Sequence, residues 1–120
     1  MAISFEIDKV HRRIRTTVTA AITVRGILSH LESTHREDAL GYPELIDARE
    51  AGQPFFSLAD IWSAGTSVHA FKTVMPFGPR AVVVGNDTNY ALTCIFAVCI
   101  MGLCSMNVFR DLKAAENWLA

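Results

Sequence analysis

The sequence predicts an α/β domain with a mainly parallel sheet flanked by helices, in the order β-β-α-β-α-β-α-β-α. Three observations carry this. Apolar residues recur at every second position near the start and at helical spacing after Thr23, and the two kinds of segment then alternate along the chain. The run "RAVVVG" is β-branched and apolar on both faces, as a central parallel strand should be. At 120 residues the chain is a single domain, large enough for a core, with no repeat, low-complexity segment or linker.

Taken in order, Ile3, Phe5 and Ile7 alternate with Ser4 and Glu6, and after the polar "DK" the residues Ile14, Thr16, Val18 and Ala20 alternate again, which predicts an opening hairpin. Val24, Ile27, Leu28 and Leu31 then mark one helical face, with Thr23 as N-cap and an end in "HRED" and at Gly41. "ELID", Glu44 to Asp47, is a short strand. Ser57 is the next N-cap, with Asp60 three residues on, ahead of a helix whose stripe is Leu58, Ile61, Trp62, Val68 and Phe71. Two prolines and a glycine in "KTVMPFGP" stop it. After "RAVVVG", Asn86 and Asp87 start a helix of about 16 residues. Met106, Val108 and Phe109 make the last strand, and Asp111 caps "LKAAENWL".

Composition narrows the functions. The chain is 51% apolar and 19% charged, with eleven basic against twelve acidic residues and a net charge of -1, so no global field invites nucleic acid. The one basic cluster, "HRRIR" at His11 to Arg15, reads as a solvated strand face or turn. The opening "MAISFEID" lacks a basic segment followed by an apolar one, which leads to the expectation of a cytoplasmic protein. Three cysteines, all in one apolar segment, fit reduced thiols acting as small hydrophobes. On a helix, Cys94, Cys99 and Cys104 are each rotated by about 140° from the next and cannot share a tetrahedral metal. The same spacing separates His30 from His35, and no cofactor motif or glycine-rich phosphate loop is present.

The most apolar stretch, "YALTCIFAVCIMGLCSM" (Tyr90 to Met106), is uninterrupted for only eleven residues between Thr93 and Ser105. A membrane span needs about 20, so the chain is not expected to cross a membrane. On a helix, Leu92, Ile95, Phe96, Cys99 and Leu103 form one stripe suited to the sheet, while Ala91, Cys94, Val98 and Met101 form another and Ala97, Ile100 and Cys104 fill the rest. A helix apolar all round in so small a domain predicts a companion for its outer face: a neighbouring helix, a second subunit, a lipid surface or an apolar ligand. The expected ligand or partner surface is Phe96, Ile100 and Met101, with Met75 and Phe77 of the "VMPF" loop as its lip. Loops after strand C-termini are the other favoured location in an open α/β sheet. These hold Asp47, Arg49, Ser57, Asp60, Asn86 and Asp87, either as helix caps or as a polar or anion site.

With this order, the segments "GYPELIDAR", "PRAVVVGNDTNYAL" and "VFRDLKAAENWL" resemble the SpoIIAA-like branch of the STAS superfamily, small bacterial proteins described as STAS/SEC14-like. The resemblance implies a five-stranded sheet with a single antiparallel strand at the start and four helices. Members that antagonise anti-sigma factors are phosphorylated on a Ser at the start of the second helix, in an Asp-Ser-Ser-Gly-like turn. The nearest position here is Ser57, in "FFSLAD", which lacks the preceding Asp, the doubled Ser and the Gly. A phosphate there would gain from the helix N-terminus but stand three residues from Asp60.

Together these lead to the expectation of a non-catalytic binding domain, a homodimer or a binder of apolar ligand or membrane surface, cytoplasmic and peripheral at the membrane in the last case. A regulatory switch acting through Ser57 is one alternative. A small enzyme using Asp47, Arg49 and Asp87 is the other.

Overall fold

A computed structural model describes residues 2–52, 56–70 and 77–120. Its elements are β1 (Ile3–Asp8), β2 (Arg13–Val18), α1 (Val24–Arg36), β3 (Glu44–Ala48), α2 (Leu58–Ala70), β4 (Arg80–Val84), α3 (Asp87–Cys99), β5 (Met106–Phe109) and α4 (Leu112–Leu119). The strands form one mixed sheet in the order β1-β2-β3-β4-β5, in which β1 and β2 are antiparallel and every later neighbour is parallel. The α/β class and the alternating order predicted from the periodicities are those observed.

The element ends follow local chemistry. In the first hairpin, Asp8 Oδ1 accepts from the backbone N–H groups of Val10 and His11, and Arg12 takes a positive φ of 55°. Arg13 and Arg15 are exposed on either side of the buried Ile14, so the basic cluster is a turn and the solvated face of β2. Thr23, Ser57, Asn86 and Asp111 each cap a helix by accepting a backbone N–H three residues on.

Because strand order never reverses, the three crossovers have the same hand and leave α1, α2 and α3 on one face of the sheet, while α4 covers the other. The sheet therefore has no point where successive crossovers depart to opposite faces, the place where crevices open in doubly wound sheets. Alternation along the strands separates two cores. Ala48, Val82, Val84 and Val108 pack under the three helices, and Leu45, Ala81, Val83 and Ala115 pack beneath α4.

Helix α3 departs from expectation in length and rotation. It ends at Cys99, with Ile100 as C-cap, because Gly102 at φ +88° turns the chain toward β5. Its most buried residues include Asn89 and Thr93 rather than Ile95, which is 42% exposed. The polar pair is tolerated because it is bonded: Asn89 Nδ2 donates to the Gly52 carbonyl at 2.6 Å, and Thr93 Oγ1 donates to Asn89 O at 2.7 Å. A Cβ at Gly65 of α2 would meet Cys99 Cβ at 3.0 Å, so that glycine sets the approach of α2 to α3. His69 Nε2 donates to the Cys99 carbonyl at 2.9 Å, supplying the end of α3 with a partner. No helix among the described residues is long and apolar enough to cross a membrane.

Candidate functional site

Between the sheet and α1, α2 and α3 lies a cavity of about 120 Å³. Its walls are apolar, with Ile27 from α1, Val68 from α2, Phe96 from α3 and Val82 from the sheet, and Phe56 sets its ring edge-on to Phe96 at 6.1 Å. One end is different. Thr16, Glu44, Arg80 and His30, brought by β2, β3, β4 and α1, line the cavity as a cluster of polar side chains.

Strand parity explains their meeting. Glu44 and Arg80 are the first residues of β3 and β4 and are register partners. Each shares a face with the apolar residues two and four places on, so both carry charge to a position the sheet buries, at 1% and 3% exposure. His30 stands three residues after Ile27 and one before Leu31, on the inward face of α1. Its Nε2 is 2.6 Å from Glu44 Oε2, which also accepts from Thr16 Oγ1, while Arg80 Nε lies 3.2 Å from Glu44 Oε1. Both carboxylate oxygens are thus occupied.

Arg80 is anchored further by backbone. A Cβ at Gly78 would collide with the carbonyl oxygens of Gly41 and Tyr42, so only glycine lets these two loops come together. Arg80 Nη1 then donates to Tyr42 O at 3.0 Å and Gly78 O at 2.7 Å. Two polar atoms remain: Arg80 Nη2 and His30 Nδ1 are buried and have no hydrogen-bond partner among the described residues.

Burial alone would push the Glu44 carboxyl up. The hydrogen bond from His30 and the charges of Arg80 and His30, with the Thr16 hydroxyl, outweigh it and hold Glu44 below the ordinary carboxylate range. Burial likewise pushes the Cys104 thiol up, against the opposing influence of Arg80. Its Sγ is 3.6 Å from Gly78 O, so this thiol is a lining group and not an activated nucleophile.

The residues predicted as a ligand or partner surface divide. Phe96, Ile100 and Phe77 line the cavity from within. Ile100, expected on the outer surface, is 2% exposed, because α3 has ended and the chain folds inward at that point. Cys104 is buried as well. Met101 is 70% exposed, and Met75 lies outside the described residues, as does Phe71. Phe77 also lies under the Arg80 guanidinium, with 5.9 Å from Cζ to the ring centre.

The polar residues of the strand C-terminal loops serve separate local duties. Arg49 donates to both oxygens of Asp47, at 2.9 and 2.8 Å, and these bonds, against partial burial, hold the Asp47 carboxyl low. A Cβ at Gly85 would strike Arg49 O, so the loop after β4 packs directly on that turn. Asp87 pairs with Arg110. Ser57 and Asn86 cap α2 and α3, and the Ser57 cap is made to the N–H of Asp60. Cys94, Cys99 and Cys104 are free thiols, and no group of three or more His, Cys, Asp and Glu among the described residues is placed to hold a metal.

Sequence reading missed the cluster by looking at the other ends of the strands. The signal was present. A charged residue heads "ELID" and another heads "RAVVV", each in phase with the buried side chains of its strand, and His30 interrupts an apolar helix face.

No family model, curated protein or solved structure matches this chain. Fold and site together define an α/β protein with an apolar cavity between sheet and helices, one end of it formed by a buried Glu-Arg-His cluster.

Proposed function

We propose that this protein is a binding domain for a small apolar ligand, held inside the layer between the sheet and α1, α2 and α3. The observation that carries the reading is the cavity of about 120 Å³. Protein interiors pack as densely as organic crystals, and a void of this size costs about 3 kcal/mol at roughly 24 cal/mol per Å³. A guest that fills it recovers that energy. Apolar cavities of comparable size are known to take up benzene or xenon. The reading keeps the apolar-ligand function expected from the sequence and moves the ligand from the outer side of α3 to the inner side.

The test is a titration of toluene followed by amide and methyl NMR. Saturable shifts centred on Val82, Phe96 and Ile100, with a rise in melting temperature, are expected. Val82→Phe should abolish them by occupying the space. Shifts confined to the exterior, or none up to the solubility of toluene, would refute the reading.

A second reading rests on a separate observation. Leu58 and Trp62 of α2 and Ile95 and Val98 of α3 are exposed on adjacent helices, with Met101 beyond the end of α3. This surface suits a second copy of the chain or a lipid surface, in a cytoplasmic protein of the SpoIIAA-like type that the sequence resembles. Light scattering across a concentration series, with Val98→Asp as the interfering variant, decides whether it self-associates.

A further inference from the structure

We infer that the outer edge of β1 is an interface between two copies of this chain, each adding its β1 antiparallel to the other about a two-fold axis at Phe5, so that the two sheets continue as one. This goes beyond the cavity reading and uses neither the cavity nor the exposed residues of α2 and α3.

β1 ends the sheet, with β2 as its one neighbour. The parity of the ladder decides which of its backbone groups are left over. Thr19 N–H donates to Ala2 O at 2.9 Å, and bonded and non-bonded pairs alternate along an antiparallel ladder, so Ser4, Glu6 and Asp8 are the residues of β1 that bond to β2. The N–H and C=O groups of Ile3, Phe5 and Ile7 point the other way, out of the sheet. Open grooves run beside Phe5 on this edge, and α1 borders them with Gly26, Ser29 and Ser33, whose small side chains leave room for a neighbour. Phe5 itself is 36% exposed.

The opposite end of the sheet shows how an edge is guarded. β5 has only four residues, and the N–H of Val108 is taken by the side chain of its own neighbour Asn107, at 3.0 Å. β1 has six residues, "ISFEID", with no Pro, Gly or Lys. Among the described residues, no side chain bonds to the outward groups of Ile3, Phe5 and Ile7. A free edge of this length is a template for another strand.

The strand that fits it best is β1 itself. Residues directly opposite each other in an antiparallel pair share a face, so side chains decide the register. With Phe5 opposite Phe5 of the second copy, Ile3 meets Ile7 of that copy, and the outward groups of all three residues are bonded. The apolar side chains then meet on the helix side of the sheet, and on the α4 side the Ser4 hydroxyl faces the Glu6 carboxylate of the second copy. The neighbouring registers are worse. Setting Phe5 opposite Ile7 brings the two Glu6 carboxylates directly against each other, and setting Phe5 opposite Ile3 leaves Ile7 beyond the end of the second strand. Charge and apolar pattern therefore select the symmetric register.

Amide hydrogen exchange of the whole chain, read residue by residue over a concentration series with light scattering, tests the interface. In dilute solution Ser4 and Glu6 should be protected while Ile3, Phe5 and Ile7 exchange freely. As the dimer forms, exchange at those three should slow by about tenfold or more. In a mixture of isotope-labelled and unlabelled chains, an NMR contact between Ser4 Hα and Glu6 Hα of different copies reads the register. Phe5→Pro removes an outward N–H that only the second copy uses, and proline is compatible with such a position on an edge strand, so this variant should fold and stay monomeric. Val98→Asp should dimerise as the native protein does. A chain that is monomeric throughout the series overturns the inference. So does a dimer in which Ile3, Phe5 and Ile7 exchange as before, one without the Ser4–Glu6 contact, or a folded Phe5→Pro that still pairs. Dissociation by Val98→Asp with unchanged exchange at β1 overturns it in favour of the α2 and α3 surface. Exchange on the native chain carries the test even where Phe5→Pro does not fold, and toluene binding reads the cavity separately.

Discussion

The two faces of the sheet are made from alternate residues of the same strands, yet they are packed by different rules. Beneath α4, Ala81, Val83 and Ala115 are fully buried beside Leu45, and this core cluster is wholly apolar. Under α1, α2 and α3, the neighbouring residues Glu44 and Arg80 bring charge inward, and a cavity lies beside them. Glu44 is followed by Leu45, and Arg80 by Ala81, so each strand changes from one regime to the other within a single residue. A parallel sheet buried on both sides has two interiors. Here one has a wholly apolar core cluster, and the other holds an apolar cavity beside a buried charged cluster with two polar atoms that lack partners among the described residues.

The strongest way to break the comparison is to remove a charge from each regime. Glu44→Ala leaves the Arg80 guanidinium buried without its counter-ion and is expected to cost about 3–5 kcal/mol in urea denaturation. Asp47→Ala, three residues along the same strand, removes an ion pair whose arginine is half exposed and should cost below about 1 kcal/mol. A Glu44→Met, Arg80→Met double variant should recover much of the stability. Equal costs for the two single variants would erase the distinction.

Acid sharpens the same point. Glu44 titrates below its ordinary value of 4.5 in the folded protein, so as pH falls the unfolded chain takes up this proton first. Its contribution is fully present above about pH 4.5 and is lost as pH drops through the lower folded value. Stability measured from pH 6 to pH 2 should show that loss in the native protein, and Glu44→Gln should remove this component.

Packing variants give the next effect in size. Ala81→Val adds methyl groups where Ala81 is fully buried on the α4 side and should cost about 1–3 kcal/mol. Val82→Ile adds one methyl to the cavity side and should be neutral or slightly stabilising, while weakening toluene. Melting curves of the pair read the difference. Smaller again are the caps: Asn86→Ala at α3 and Asp111→Ala at α4 should each cost about 1 kcal/mol, because caps are local and do not depend on the face. Met101→Lys, on the exposed surface, should change stability by less than about 0.5 kcal/mol and alter only association.

The sequence by itself determined the order of elements, their caps and the α/β class, because periodicity, N-cap side chains and turn residues act over a few residues. Thr23, Ser57, Asn86 and Asp111 were legible as helix starts for this reason, and "RAVVVG" as a buried strand. Phe77, Phe96 and Ile100 were singled out for their apolar bulk, and they do line one cavity, although Ile100 does so from inside. The end of α3 and its rotation were not legible, since Asn89 and Thr93 are buried only because of partners supplied by the fold and by the helix itself. Tertiary structure alone decided the site. Strand order fixed which helices share a face, register set Glu44 beside Arg80, and the packing of α1 lowered His30 onto Glu44, contacts between residues 14 and 36 positions apart in the chain that no local pattern can specify.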